Sequence, residues 1–137
     1  MKTRQIFEQE LQRLHDDILV LGSMVEQAIM ESVESLKKRD FEMSRRIIAD
    51  DRLINEKRVQ IESDTLTLIA TQQPMAGDLR TLAAVLEIAT ELERMGDYAK
   101  GIAKINLMIG NEPLLKPLVD IPRMAEKGMD MLRRALA

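Results

Sequence analysis

The sequence predicts an all-α protein: an antiparallel three-helix bundle followed by a shorter fourth helix. Three observations carry that prediction. Leu, Ile, Met, Glu, Arg and Lys dominate, while the 137 residues contain two Phe, one Tyr and no Trp, which favours helices over sheets. Apolar residues recur three, four and seven apart over long stretches, the period of a helix face and not of a strand. Helix-stopping signals fall at a few places only, around Arg39-Asp40, Gln73-Pro74 and Gly110-Asn111-Glu112-Pro113.

The first helix is expected from about Thr3 to Lys38. Phe7, Leu11, Leu14, Ile18, Leu21, Val25, Ala28 and Ser32 alternate four and three apart, the seam of a helix in a bundle. Gly22 costs about 1 kcal/mol of helix propensity and points to the close approach of a neighbour. His15 lies beside the seam and reads as an exposed or partly buried structural residue rather than a metal ligand. Lys37, Lys38 and Arg39 suit the negative end of the helix dipole.

Asp40 is placed to cap the second helix, which starts its apolar face at Phe41 and is expected to run to about Thr71. Ile47, Ile54, Ile61 and Leu68 form a seam of sevens. Asp51 falls only about 40° from Ile47 around the helix, with Asn55 and Glu62 flanking the same face. Gln72-Gln73-Pro74 closes this helix, and Pro74 is expected at an early position of the third, which continues to about Ile109. Counting about 100° per residue from Leu79 puts Leu82, Ala83 and Leu86 on one face, and Glu93 and Asp97 on that same face. Two carboxylates four residues apart then interrupt an apolar stripe, and their repulsion calls for an offsetting charge, of which a cation is the simplest.

Past the Gly110–Pro113 stop, Pro117 and Pro122 keep the connection irregular, and a fourth helix is expected from about Pro122 to the end. Its apolar residues are Met124, Met129, Leu132 and Leu136. Residues 124–136 echo 24–36 through Met24/Met124, Glu26/Glu126 and Leu36/Leu136, which suggests a second repeat begun and cut short. The expected division is therefore a bundle over 1–111 and a linker plus repeat start over 112–137. The stripe of that last helix needs cover. A fold-back onto its own bundle would supply it, but a symmetric homodimer is the preferred expectation.

With no cysteine, disulfides, thiolate chemistry and Cys-type zinc sites are excluded. The run from Ile18 to Val25 is too short to span a bilayer, and Met1-Lys2-Thr3-Arg4 leads into acidic, amphipathic sequence without a secretory signal. A net charge of −3 with interleaved signs argues against a nucleic-acid surface. A soluble, cytoplasmic protein without membrane insertion is expected. Only one histidine is present, so a di-iron Glu-x-x-His site fails, and neither a Gly-rich phosphate loop nor a Ser–His set is found. The expectation is therefore a non-enzymatic protein. Oxygen donors on two adjacent helices, Asp51 and Asn55 with Glu93 and Asp97, suit a hard or borderline cation. A solvated acidic face without metal is the alternative reading of the same four residues.

Three stretches together resemble the PhoU family of phosphate-signalling regulators. They are Asp50-Asp51-Arg52-Leu53-Ile54-Asn55, Gln72-Gln73-Pro74-Met75-Ala76-Gly77-Asp78-Leu79-Arg80, and Glu91-Leu92-Glu93-Arg94-Met95-Gly96-Asp97. The resemblance spans about residues 5 to 105, and its most specific parts are Gln-Pro-x-x-x-Asp-Leu-Arg and Glu-Arg-x-Gly-Asp. It implies three-helix bundles, normally two per chain, and Glu/Asp-x-x-x-Asp motifs that face multinuclear metal clusters in some members. Glu93 and Asp97 match that motif, whereas Asn55 stands where a second acid would follow Asp51 and lowers the charge of the site. The implied metal is a divalent or trivalent ion: iron, zinc, manganese or magnesium. The implied role is a cytoplasmic adaptor between the ATPase of a phosphate ABC transporter and a phosphate-sensing histidine kinase. Such an adaptor restrains starvation signalling when phosphate is plentiful. Two rival readings are a metal-storage or metal-buffering protein and a metal-free helical scaffold.

Overall fold

The computed structural model describes residues 2–114 and 118–137. Among them there is no strand; the chain folds as α1 (Lys2–Lys38), α2 (Phe41–Gln72), α3 (Ala76–Ile109) and α4 (Asp120–Leu136). Short connections make α2 run antiparallel to α1 and α3, each of the three packed on the other two, while among the described residues α4 packs on α1 alone. At about 1.5 Å per residue the three long helices make a rod roughly 50 Å long.

The helix ends follow from local chemistry. Arg39 adopts a left-handed conformation (φ 57°) after α1, and the Asp40 N–H then donates to the Ser35 carbonyl at 2.8 Å. The Asp40 carboxylate accepts from the Met43 N–H at 3.0 Å, capping α2 as the sequence leads one to expect. At the other end Gln73 is left-handed (φ 46°), with its N–H donating to the Ile69 carbonyl. Pro74 is not part of α3. The chain reverses through Pro74 and an extended Met75, so α3 begins at Ala76. Similarly α4 starts two residues before Pro122, whose missing N–H falls in the first turn, where no intrahelical partner is lost. The hinge expected at Pro117 lies outside the described residues.

The seam read on α1 is the core: Phe7, Leu14, Ile18, Leu21, Val25 and Ser32 are buried, with Leu11 and Ala28 partly so. The sevens of α2, Ile47, Ile54, Ile61 and Leu68, are buried as well. On α3 the buried line differs from the one counted from Leu79. It runs through Leu82, Ala89, Leu92, Gly96, Ala99, Ala103 and Asn106, whereas Leu79 is 43% exposed. Leu82, counted on the expected face, is buried, but the packed line is turned away from Leu79, and its small residues Ala89, Gly96, Ala99 and Ala103 let the backbones approach.

The stripe on α4 is covered within the chain. Met129 and Leu132 are buried, and Leu136 Cδ1 lies against the bare Cα of Gly22, so the neighbour that Gly22 admits is α4. Arg133 pairs with Glu26 of α1, and that carboxylate, as hydrogen-bond acceptor, raises the guanidinium pKa above its ordinary value. A homodimer is therefore not needed to cover Met129 and Leu132, and fold-back is the arrangement found. Met124, also counted in the stripe, is exposed.

Candidate functional site

The predicted site residues lie where α2 meets α3. On α2 two lines of sevens run side by side. One is apolar (Ile47, Ile54, Ile61, Leu68); the other is Ser44, Asp51, Arg58 and Thr65, polar at every step. This second line faces α3 at its smallest residues. A Cβ built on Gly96 would sit 3.2 Å from Ile54 Cγ2 and 3.7 Å from Asp51 Oδ1, so the glycine of the Glu-Arg-x-Gly-Asp motif is what lets α2 lie this close. A groove of about 270 Å³ beside it is lined by Met24 and Ala28 of α1, Asp50, Asp51 and Ile54 of α2, and Gly96.

Asp51, half-buried, faces Lys100 of α3, with Nζ 3.6 Å from Oδ2. Glu93 faces Arg58 of α2, with Nε 3.7 Å from Oε2. That guanidinium also donates to Glu62 Oε1 and to the Asn55 side-chain carbonyl, both at 2.8 Å. Asp97 is exposed on the flank of α3. Of the four residues proposed as ligands, Asp51 and Glu93 thus meet cations across the α2–α3 contact, Asn55 joins through Arg58, and Asp97 is not brought to them. A hard cation wants six or more oxygen ligands, several from the protein. Among the described residues no three His, Cys, Asp or Glu side chains are grouped to hold one. In this arrangement the donor set does not fit a metal ion. Two cationic side chains, Arg58 and Lys100, stand among the acids instead.

Sequence reasoning missed both. Arg58 shares a line of sevens with Asp51 and Thr65, but that spacing alone does not set it apart from a solvated residue, and Lys100, four residues beyond Gly96, carries no signal either. His15 is exposed on α1, bordering a groove with Leu11, Ile18, Val85 and Ile88, and lies away from the acids.

A second polar cluster ties the far end of the bundle. Asn106 is fully buried and donates through Nδ2 to the Ser35 carbonyl (3.0 Å) and Ser44 Oγ (2.9 Å). The Ser44 hydroxyl in turn donates to Ser35 Oγ at 3.0 Å. Arg39 reaches across from the α1–α2 turn and donates to the carbonyls of Gly110 and Glu112. The α1–α2 turn is thereby locked to the end of α3.

The PhoU domain profile matches residues 18–105, well over half of the chain. The chain belongs to the PhoU family. It is 38% identical over 135 residues to the "Phosphate-specific transport system accessory protein PhoU homolog" of Clostridium acetobutylicum, covering 98% of this chain and 62% of that one. The protein of the same description from Aquifex aeolicus is 36% identical over 123 residues, covering 90% of this chain and 56% of that one. Among solved structures, the phosphate transport system regulatory protein PhoU from Streptococcus pneumoniae superposes with a TM-score of 0.86 at 32% identity, covering 95% of this chain and 61% of that one. The chain thus spans about 60% of the length of the PhoU relatives it matches.

Proposed function

We propose that this chain serves as a regulatory accessory protein of a phosphate transport system, an adaptor and not an enzyme. The observation that supports this best is the 38% identity, over 98% of the chain, to a relative described as a phosphate-specific transport system accessory protein. An adaptor needs extended surfaces more than a cavity, and the rod supplies them. Leu66, Met75, Leu79, Tyr98 and Met108 stand exposed along it. In the proposed role the chain works in the cytoplasm and contacts the ATPase of a phosphate ABC transporter and a phosphate-sensing histidine kinase. It restrains the starvation response when phosphate is plentiful. No described helix is long and apolar enough to cross a membrane, which accords with a partner that docks on the transporter instead of spanning beside it. Metal buffering as the whole function is less well supported, because Asp51 and Glu93 already face Lys100 and Arg58.

Binding to immobilised ATPase subunit and to the kinase's cytoplasmic region, measured by interferometry, tests this reading. Saturable binding to both is expected; failure to bind either one overturns the adaptor role.

A further inference from the structure

We propose that Arg58 and Lys100 take the place that a metal would hold on the acid face of this chain, and that Arg58 closes that face to divalent cations. The proposal goes beyond the adaptor role and does not depend on it. Three carboxylates, Asp51, Glu62 and Glu93, stand beside the two cations where α2 meets α3. Left alone they would repel, and a cation would be the simplest counter-charge. The chain carries its own. The Arg58 guanidinium collects Glu62 Oε1 at 2.8 Å, Asn55 Oδ1 at 2.8 Å and Glu93 Oε2 at 3.7 Å. Two of these oxygens are hydrogen-bonded to the guanidinium from α2 itself, and the third, from α3, pairs with it by charge across the helix contact.

Burial strengthens the point. The Arg58 side chain is 23% exposed, its partners Glu62 and Glu93 30% and 27%, and its Nε is shut off from solvent. Asp51 is more enclosed at 14%, and its counter-charge is Lys100. Charges this far out of water keep more of their Coulomb attraction than surface pairs do. A divalent ion could enter only by displacing a positive charge that is covalently part of the chain, hydrogen-bonded to two acceptor oxygens and paired with the Glu93 carboxylate.

The test uses the whole chain, Arg58→Met, Glu93→Gln and the combined variant, with Mn²⁺ and Zn²⁺ as probes in calorimetry and thermal melts. Methionine keeps the apolar stem of arginine and removes the charge. The wild-type chain is expected to show no saturable uptake of either ion and no change in melting temperature on adding them. Arg58→Met is expected to take up Mn²⁺ saturably, to melt higher in its presence, and to lose both effects when Glu93→Gln is added. Stoichiometric uptake by the wild-type chain that disappears in Glu93→Gln overturns the proposal. Absence of binding in both wild type and Arg58→Met overturns the part that makes Arg58 the barrier. Should Arg58→Met fail to fold, the wild-type and Glu93→Gln titrations still decide whether the acid face takes a metal.

Discussion

Asn106 makes the sharpest prediction about stability. It lies fully buried on α3, and its amide is what the α1–α2 turn closes on. Asn106→Ala removes the Nδ2 hydrogen bonds to the Ser35 carbonyl and Ser44 Oγ and a longer one to the Asp40 carbonyl at 3.4 Å, together about 2 kcal/mol net, and the vacated amide volume adds about 1 kcal/mol. Against this, Asn106 Oδ1 is buried without a partner, so deleting it recovers about 1 kcal/mol. The Ser35 carbonyl keeps the Asp40 N–H, leaving Ser44 Oγ as the acceptor deprived of its donor. The balance is a loss of about 2 kcal/mol, or roughly 6–8 °C in melting temperature for a chain of this size. Asn106→Asp should be worse at neutral pH, because the new carboxyl would face a backbone carbonyl in a dry site. Burial raises its folded-state pKa above the unfolded value of about 4, so the variant's stability falls as pH rises from there toward 7. Thermal melts by circular dichroism at pH 4.5 and 7.5 measure both effects. A shift under about 2 °C for Asn106→Ala, or a variant Asn106→Asp that gains stability with pH, refutes the reasoning.

Other expectations follow from single contacts. Gly96→Val places branched carbons where Ile54 Cγ2 lies 3.2 Å from the glycine's Cβ position, and overpacking of this kind costs about 1–3 kcal/mol; a lowered urea midpoint checks it. Leu132→Ala, in the buried stripe of α4, should cost about 2 kcal/mol and act locally. Amide exchange should then quicken in α4 while the cores of α2 and α3 keep their protection, since among the described residues α4 packs on α1 alone.

Much of the fold was legible because α1 and α2 carry large apolar residues at helical spacing. Phe7, Leu14, Ile18, Leu21 and Val25, and the sevens from Ile47 to Leu68, are the core that was read. On α3 the face was legible only in part. Leu82 is buried as expected and Leu86 partly so, but the packed line turns away from Leu79 and runs on through Ala89, Leu92, Gly96, Ala99 and Ala103, where small residues give hydrophobicity little to mark. Counting from Leu79 carried Glu93 and Asp97 onto the apolar stripe, when they lie on its flank with Glu93 half-buried and Asp97 exposed.

For the candidate site, the acids were legible by type and spacing, but their counter-charges were not. An arginine seven residues from an aspartate looks like any solvated residue until α3 is placed beside it. The tail was half legible. The apolar stripe of α4 announces that something covers Met129 and Leu132, but not that the cover is α1 of the same chain. Only the bare Cα at Gly22 hinted at the docking point, now occupied by Leu136. The recognition motifs themselves have structural reasons. Gly96 admits Ile54, and Asp78 holds Arg4 of α1, joining α3 to the start of the chain.

The regulatory role is tested most directly in cells that lack this protein and carry a phosphate-starvation reporter. Supplying the chain at high phosphate should return the reporter to its low, repressed level, and withdrawing phosphate should release it. A reporter that stays high at plentiful phosphate, with the folded chain present at normal abundance, would contradict the account.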